Sequence, residues 1–362
     1  MAKKILIAVT NDLETDQRVF RIAKSLSENG FEIMLIGRLL KNSKALDLFC
    51  DVKRFKLCFN KQAFFYANYN IRLFVFLLFN KFDIVLSNDL DTLPACFLAS
   101  KIKGKKIVYD SHEYFTEVPE LIDQKFQRSF WLLIERIFVP KLNSAYTVSN
   151  SIAKEYNQKY KLAFDTVRNL PYRKNRAFEI EKNKVRTIIY QGALNVGRGI
   201  ELMIESMLYL ENVELLIVGT GDIDDELNLL ISKLNVSEKV KMLGRINPQD
   251  LFFITQKAHL GLSLEEDRGL NYRFALPNKI FDYIQARIPV IVSDLPEMRN
   301  VIETYNIGEI MYERTPKALA QQIIKMLDKC LSDNTIHNNL EKAAQQLCWE
   351  NEQNIMLRHF IN

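Results

Sequence analysis

Short runs of β-branched and aliphatic residues alternate with amphipathic segments along almost the whole chain. The first run, KKILIAVT, is followed by a segment that carries Val19, Ile22 and Leu26 on one helical face. A continuous apolar run is typical of a strand buried on both faces, and the spacing of the next segment predicts a helix. Strands separated by helices predict parallel βαβ units with helices on both faces of each sheet, so the expected fold class is α/β.

The alternation is interrupted once, and this interruption predicts two domains. The stretch NLPYRKNRAFEIEKNKV is polar, basic and interrupted by proline. We predict a Rossmann-like domain over residues 1–165, a linker over 166–184 and a second Rossmann-like domain over 185–345. The length of 362 residues agrees with about two domains of roughly 150 residues each.

Ligands of open parallel sheets bind beyond the carboxyl ends of the strands, so residues directly after strands are the functional candidates. In YQGALNVGRGIE, Gly192 ends a predicted strand and Arg198-Gly199 begins the next helix. Glycine turns allow the backbone to approach a phosphate, and Arg198 supplies a positive charge. The segment is not a Walker A loop, because Arg-Gly stands where Lys-Ser/Thr would be required.

The segment LPNKIFDYIQA predicts a helix that begins at or near Pro277. Its free N–H groups and the positive end of the helix dipole suit a diphosphate, and Asn278 and Lys279 add a donor and a charge. Asp282 lies one turn further on the same face and could accept hydrogen bonds from two hydroxyl groups of a ribose. The alternative is an ordinary helix with a solvated lysine and an acid that complements the dipole.

Two further candidates in this half of the chain are weaker. Gly221 belongs to a Gly-Thr-Gly segment after the strand LLIVG, where a plain tight turn is the favoured interpretation. Arg245 follows the strand KVKMLG and could reach a base or a phosphate, or could be a solvated surface residue.

In the first half of the chain, His112 follows the strand KKIVYDS directly. It is the only one of the four histidines that lies in a charged loop after a strand. Asp110 and Glu113 could hydrogen-bond its imidazole, although a purely structural histidine is the alternative. In the opening loop, Asp16 is either a ligand-binding residue or the cap of the first helix, and Asp12, Gln17 and Arg18 are its neighbours.

The segment SLEEDRGLNYRFALPNKIFDYIQARIPVIVSD resembles the donor-binding segment of glycosyltransferase family 4, in which two glutamates precede an A-x-G-x-P-V-I run. By position, Asp282 matches the second glutamate, the ribose ligand, and Glu266 matches the first, which lies near the anomeric carbon. Glu265 is a rival for the role of Glu266. The chain departs from the pattern in having Asp at 282 and a longer segment between the two carboxylates.

Other segments carry the same resemblance. Arg198-Gly199 matches a Lys-Gly pair of the family, whereas Ala193 stands where the family usually has an arginine. YDSHEYFTE is similar to the region in which a family histidine, here His112, contacts the transferred sugar. Trp349 fits the helix that crosses back to the first domain.

The resemblance implies a GT-B architecture, with two Rossmann-like domains whose parallel sheets face each other across a cleft and a C-terminal helix, about residues 346–362, that completes the first domain. It implies transfer of a sugar with retention from a UDP- or GDP-linked donor to a glycan or polyprenyl-linked saccharide, in cell-surface polysaccharide biosynthesis. No cofactor and no metal are expected. The implied catalytic residues are His112 and Glu266. The implied nucleotide-binding residues are Gly192, Arg198, Gly221, Arg245, Asn278, Lys279 and Asp282.

Two other functions remain open. A sugar-nucleotide epimerase on the same fold would convert the donor without an acceptor. A binding subunit without activity is the second alternative, because Ala193 and Asp282 depart from the family pattern. Asp89-Leu90-Asp91 resembles the D-x-D motif that holds Mn²⁺ in GT-A enzymes, but we expect Asp91 to cap the following helix instead.

Composition indicates where such a protein would act. The five cysteines form no C-x-x-C pair and the N-terminus lacks the long apolar core of a secretory signal, so we expect a cytoplasmic protein. A net charge of +5 suits anionic ligands or surfaces and is too small to indicate nucleic acid. The aromatic segment KQAFFYANYNIRLFVFLLFNK predicts a core helix, with contact to the inner face of a membrane as the alternative.

Overall fold

The computed structural model describes residues 2–14, 16–60, 62–174, 182–332 and 334–361. The chain divides into two compact units. The N-terminal unit comprises residues 1–169 and 352–362, and the C-terminal unit comprises residues 170–351. Part of the predicted linker, residues 175–181, lies outside the described residues.

The N-terminal unit contains a seven-stranded parallel sheet with the order β3-β2-β1-β4-β5-β6-β7. The central strands are apolar on both faces because helices cover both, as the sequence predicted. The strands are β1 (Lys4–Ala8), β2 (Glu32–Leu39), β3 (Asp51–Lys56), β4 (Ile84–Asn88), β5 (Lys106–Ser111), β6 (Ala145–Thr147) and β7 (Asp165–Thr166).

The helices of this unit bury the faces that the hydrophobic spacing predicted. The first helix buries Val19, Ile22 and Leu26. It begins after Asp16, whose carboxylate accepts a hydrogen bond of 3.0 Å from the Val19 N–H. Asp16 is therefore the helix cap, one of its two predicted roles. The helices are α1 (Gln17–Glu28), α2 (Gln62–Phe79), α3 (Asp89–Lys103), α4 (Pro119–Ile122), α5 (Lys125–Phe138), α6 (Asn150–Tyr160) and, at the end of the chain, α15 (Trp349–Ile361).

The C-terminal unit contains a six-stranded parallel sheet with the order β10-β9-β8-β11-β12-β13. Its strands are β8 (Arg186–Gln191), β9 (Val213–Val218), β10 (Val240–Gly244), β11 (Leu260–Ser263), β12 (Val290–Ser293) and β13 (Gly308–Met311). Its helices are α7 (Ile200–Ser206), α8 (Asp224–Lys233), α9 (Pro248–Lys257), α10 (Leu270–Arg273), α11 (Asn278–Ala286), α12 (Pro296–Tyr305), α13 (Pro316–Ser332) and α14 (Thr335–Gln346).

The aromatic helix α2 is only half core. Tyr69 and Leu73 are completely buried on its inner side, whereas Phe64 is 69% and Phe79 is 85% exposed on its outer side. Within the residues that the structure describes, no helix is both long enough and apolar enough to cross a bilayer.

Candidate active site

The strand order reverses once in each sheet, between β1 and β4 and between β8 and β11. Loops that leave such a pair of strands run in opposite directions and open a crevice at the carboxyl edge, which is where ligands of this fold class bind. The candidate residues lie in two clusters, one at each of these positions.

In the C-terminal unit, the glycine loop (residues 192–199) joins β8 to α7. Gly192, Gly197 and Gly199 have positive φ angles of 142°, 83° and 71°. A Cβ on Gly199 would lie 2.2 Å from the carbonyl oxygen of Leu264, so only glycine fits. This close approach places Arg198 beside the loop that follows β11.

Glu265 follows β11 and lies at the centre of a buried ion cluster. Lys279 Nζ donates to Glu265 Oε1 at 2.8 Å, and Ser263 Oγ donates to Oε2 at 2.7 Å. Arg198 Nη1 lies 3.8 Å from Glu265 Oε1. A Cβ on Gly192 would lie 3.5 Å from Lys279 Nζ, so the lysine packs directly against the glycine loop.

The charges of this cluster do not cancel. Burial raises the pKa of Glu265, but Lys279 and Arg198 outweigh it and hold the pKa below its usual value. Burial lowers the pKa of Lys279, although the attraction of Glu265 opposes this shift. With one carboxylate and two cations, the cluster has an excess positive charge beside the glycine loop and can attract an anion.

The adjacent glutamates Glu265 and Glu266 differ in environment. The backbone N–H of Glu266 donates to the carbonyl of Gly197 at 2.9 Å, and its side chain is 44% exposed and 3.9 Å from Arg268 Nε. Glu265 is buried and bound to Lys279, so of the two rivals Glu266 has the carboxylate that solvent can reach. Its role near an anomeric carbon stays a prediction.

Helix α11 carries the other predicted nucleotide ligands. Its N-cap is Pro277 and it begins at Asn278, which is exposed, whereas Lys279 is only 8% exposed. The alternative of a solvated lysine is therefore wrong, because the helix turns Lys279 inward onto Glu265. Asp282 accepts a hydrogen bond of 3.0 Å from Gln191 Nε2 at the end of β8.

Gln191 is a residue that sequence reasoning missed. Its amide oxygen accepts a hydrogen bond of 2.7 Å from Thr255 Oγ1, which leaves the amide nitrogen facing Asp282. The available signal was its position as the last residue of β8. Our candidates lay after the strands or in the first turns of helices, so Gln191 was passed over.

The structure does not bring the two weaker candidates into the ion cluster. The backbone N–H of Gly221 donates to Asp224 Oδ1 at 2.8 Å, and a Cβ on Gly221 would lie 2.2 Å from the Leu194 carbonyl oxygen. Gly221 is therefore part of a turn that packs against the glycine loop. Arg245 is exposed and follows β10, the edge strand that β9 separates from β8.

In the N-terminal unit, His112 lies between two carboxylates. Its Nδ1 is 3.3 Å from Asp89 Oδ2, and its Nε2 is 3.2 Å from Asp110 Oδ2 and 3.1 Å from Asn88 Oδ1. Its backbone N–H also donates to Asp89 Oδ1 at 2.8 Å. The ring is thus held at both nitrogens.

A buried arginine holds Asp110. Arg18 donates from Nε and Nη2 to the two oxygens of Asp110, at 3.0 and 2.8 Å, and from Nη1 to the carbonyl of Val167. Arg18 belongs to α1 and not to the opening loop. Because the pair is separated by almost a hundred residues in sequence, only the fold brings it together.

These contacts decide the charge of His112. Burial alone would lower the pKa of its imidazole, but Asp89 and Asp110 outweigh burial and raise the pKa to about 9. His112 is therefore a cation at neutral pH that can donate hydrogen bonds. A histidine with both nitrogens committed to carboxylates is a poor proton acceptor.

Asp91 lies next to this cluster and is 7% exposed. Its Oδ2 accepts a hydrogen bond of 2.6 Å from Thr10 Oγ1, and its Oδ1 has no hydrogen-bond partner within the described part of the chain. The N-cap of α3 is Asn88, so the prediction that Asp91 caps this helix is wrong. Among the described residues, no three or more His, Cys, Asp and Glu side chains are grouped to hold a metal ion.

The chain consists of two consecutive Rossmann-like units, each with polar residues at its strand-order reversal, which is the architecture of the GT-B fold. Comparison with known proteins identifies the family. The model described as Glycosyltransferase Family 4 matches residues 16–171, and that described as Glycosyl transferases group 1 matches residues 172–347. The chain belongs to this family of GT-B glycosyltransferases, and the predicted family and fold class are confirmed.

Solved structures share the fold over the whole chain. Sucrose-phosphate synthase from Thermosynechococcus elongatus is 14% identical with a TM-score of 0.79, over 98% of each chain. HepE from Anabaena, in complex with UDP and glucose, is 14% identical with a TM-score of 0.74, over 98% of this chain and 99% of that one. At this identity the likeness establishes the fold alone.

A sequence relative is an uncharacterized glycosyltransferase of Methanocaldococcus jannaschii. The two proteins are 27% identical over 172 residues, which is 46% of this chain and 42% of the relative. The chain therefore spans about two fifths of the length of the curated relative that it matches.

Proposed function

We propose that the protein transfers a hexosyl group with retention from a UDP- or GDP-linked donor to a glycan or polyprenyl-linked saccharide, in cell-surface polysaccharide assembly. The observation that carries the proposal is the Glu265–Lys279–Arg198 cluster, which has an excess positive charge and lies beside the glycine loop of the C-terminal unit. A nucleoside diphosphate is the ligand class that such a loop suits.

The nucleotide has a matching set of candidate ligands. The diphosphate would be bound by the glycine loop, the N-terminus of α11 and Arg198. Asp282, which is held by Gln191, would accept hydrogen bonds from the ribose hydroxyls. HepE, which shares the fold, was solved in complex with UDP and glucose. This observation supports our proposal of a nucleotide-sugar donor.

The chemistry that we propose needs no metal ion. As the bond from the anomeric carbon to the diphosphate breaks, the leaving group gains negative charge, which Arg198 and Lys279 would stabilise. The acceptor oxygen forms the new bond to that carbon, on the face from which the diphosphate leaves. The acceptor hydroxyl proton passes to a phosphate oxygen of the leaving group.

His112 then has a positioning role toward the sugar and does not act as the base. Its pKa of about 9 keeps it protonated, and a sugar hydroxyl would share the Nδ1–H, whose contact with Asp89 Oδ2 is the longer one at 3.3 Å. Glu266, with its accessible carboxylate, would accept hydrogen bonds from sugar hydroxyls. A polyprenyl-linked acceptor would place the protein at the cytoplasmic face of a membrane.

The experiment is turnover of a panel of UDP- and GDP-hexoses with EDTA present. Nucleotide release is recorded, and NMR gives the anomeric configuration of the sugar first released to water. We expect one donor to react with retention, and His112→Ala to bind that nucleotide with unchanged affinity but to lose turnover. A first product of inverted configuration, or normal turnover by His112→Ala, would contradict the mechanism.

The same assay separates the two alternatives. An epimerase would convert the donor into an epimeric sugar nucleotide when no acceptor is present. An inactive binding subunit would show no turnover of any donor in the panel, with or without acceptor glycans.

A further inference from the structure

Helices α2, α3 and α5 form one layer on the N-terminal unit. Helix α3 packs against both of its neighbours. The rings of Phe97 and Phe138 join α3 to α5 with centroids 5.4 Å apart, and those of Tyr66 and Trp131 join α2 to α5 at 4.9 Å. The sides of these helices that point away from the sheet therefore form a continuous surface.

Large apolar side chains cover this surface. On α5, Phe126 is 84%, Phe130 50%, Leu133 55% and Ile137 41% exposed, and their spacing of four, three and four residues places them on one stripe. Trp131, on the opposite side of the same helix, is 5% exposed. The neighbouring helices contribute Ile71, Val75 and Phe79 from α2 and Leu98 and Ile102 from α3. We call these residues of α2, α3 and α5 the apolar face.

The acidic and the basic residues of these helices lie in different places. Their only described acids are Asp89 and Asp91, in the His112 region, and Glu135, which is buried and 2.6 Å from Lys159. Two acids lie in the adjoining turns, Asp83 after α2 and the exposed Asp123 before α5. On the three helices themselves, the exposed or half-exposed charged side chains are basic. They are Arg72, Lys101, Lys103, Lys125, Arg128 and Arg136.

A cationic pocket lies at the end of the apolar face, beneath the amino ends of β5, β6 and β7. Its volume is about 630 Å³, and its lining includes five lysine or arginine side chains and the hydroxyls of Ser100 and Ser144. Asp165, 3.1 Å from His359 Nε2, is the one carboxylate among the described lining residues. The basic lining residues are Lys101, Lys105, Lys106, Lys141 and Arg358.

The pocket is separate from the His112 cluster, because it lies at the amino edge of the sheet and His112 follows the carboxyl end of β5. It is continuous with the apolar face through Lys101, which lies between Leu98 and Ile102 in α3. Lys105 is bound to Asp83 at 3.0 Å. The pocket thus brings several cations together next to exposed aliphatic side chains.

We propose that the apolar face docks on an anionic phospholipid membrane, with the cationic pocket receiving a phosphate head group. Exposed apolar side chains with lysine and arginine on the same helices match the acyl boundary and the anionic head groups of such a surface. This inference rests on the proposed function, because an acceptor linked to a membrane lipid is the reason for the protein to dock there. Its geometry belongs to the N-terminal unit alone, whereas the proposed nucleotide ligands belong to the C-terminal unit.

The test is flotation of the full chain with vesicles of phosphatidylcholine alone or of phosphatidylcholine mixed with phosphatidylglycerol. One variant, Phe126→Gln/Leu133→Gln, changes the apolar face, and a second, Lys101→Gln/Lys141→Gln, changes the pocket. Leu229→Gln and Lys233→Gln on α8 are matched controls, since Leu229 is 71% exposed in the other unit. The melting temperature and the nucleotide affinity of each variant show whether it is folded and can bind donor.

We expect the wild type and both controls to float only with vesicles that contain phosphatidylglycerol. The lysine variant should partition roughly 30-fold more weakly, the apolar variant about tenfold or more, and added salt should release the wild type. Equal binding to both vesicle types, or variants that bind like the wild type, would overturn the proposal.

Two further outcomes would also overturn it. One is a stabilising effect of soluble glycerol phosphate that depends on Lys101 and Lys141 without any vesicle binding, since the pocket would then serve a soluble anion. The other is a wild-type dimer that the Phe126→Gln/Leu133→Gln variant converts to a monomer, again without vesicle binding. Nucleotide affinity is measured in the same samples, so a failure of membrane docking is distinct from a failure of the proposed transferase function.

Discussion

At the scale of single residues, the pKa values of neighbouring carboxylates in the N-terminal unit shift in opposite directions because their partners differ. Burial raises the pKa of Asp110, but Arg18 and His112 outweigh it and lower the pKa below its usual value. Within the described ranges, the hydroxyl of Thr10 is the only side-chain donor to Asp91, and burial together with Asp89 raises the pKa of Asp91 to about 7. A buried charge is stable only when charged or hydrogen-bonding groups meet it.

His112→Gln should change how stability depends on pH. The folded-state pKa of about 9 is above the ordinary value of 6.5, so the favourable contribution of the cation is complete below pH 6.5 and is lost as pH rises to about 9. Relative to the variant, the wild type should lose up to about 3 kcal/mol of unfolding free energy across that range. Urea unfolding of both proteins between pH 6 and pH 10 measures this difference, and a constant difference would contradict the raised pKa of His112.

Asp91→Asn, in the same unit as His112, should stabilise the protein because burial disfavours the charged form of the Asp91 carboxylate. The pKa of about 7 is above the ordinary 3.8, so folding favours the protonated carboxyl, and the wild type loses stability as pH rises from about 4 to 7. Asparagine keeps an oxygen acceptor for Thr10 and cannot ionise. We expect roughly 2–4 kcal/mol of stabilisation at pH 8 and little at pH 4. The same gain at both pH values would show that the charge of Asp91 is not the cause.

At the scale of elements, the glycine loop depends on contacts that only glycine permits. Gly199→Ala would place a Cβ 2.2 Å from the Leu264 carbonyl oxygen at a φ of 71°. Gly244→Ala is a matched control in the same unit, with a φ of 63° and no heavy atom within 4 Å of the added Cβ. The control should lose about 1 kcal/mol of unfolding free energy for its backbone conformation alone.

Gly199→Ala should lose roughly 2–4 kcal/mol, because a backbone carbonyl cannot move aside as a flexible side chain can. It should also weaken nucleotide binding, since the displaced loop carries Arg198. Urea unfolding and nucleotide titration of the two variants measure both effects. Equal losses of stability in the two variants would mean that the Leu264 contact does not constrain the loop.

The edge strands show why only part of the fold could be predicted from the sequence. The hydrophobic runs of the sequence do not predict β3, β7 and β13, and all three lie at the edges of their sheets. Edge strands are half exposed and carry polar side chains, as in DVKRFK, so they lack the continuous apolar run of a central strand. The edge strand β10 was recognised because Val240 and Met242 alternate with lysines.

At the scale of the whole molecule, the positions of the site residues could be predicted but their partners could not. His112, Arg198 and Lys279 were found because each lies just after a strand or at the start of a helix. The pairs Arg18–Asp110 and Gln191–Asp282 join residues 92 and 91 positions apart, so they depend on how the elements pack. The burial of Lys279 on Glu265 likewise follows from the packing of α11 against β11.

The central claim, a metal-independent nucleotide site in the C-terminal unit, is tested most directly by thermal-shift titration with UDP and GDP, each with and without EDTA. A ligand at 100 times its Kd adds about 2.7 kcal/mol of stability. We predict a rise in melting temperature with one of the two nucleotides, unchanged by EDTA and absent in Asp282→Ala. A rise that EDTA abolishes would contradict the metal-free mechanism, and no rise with either nucleotide would contradict the site itself.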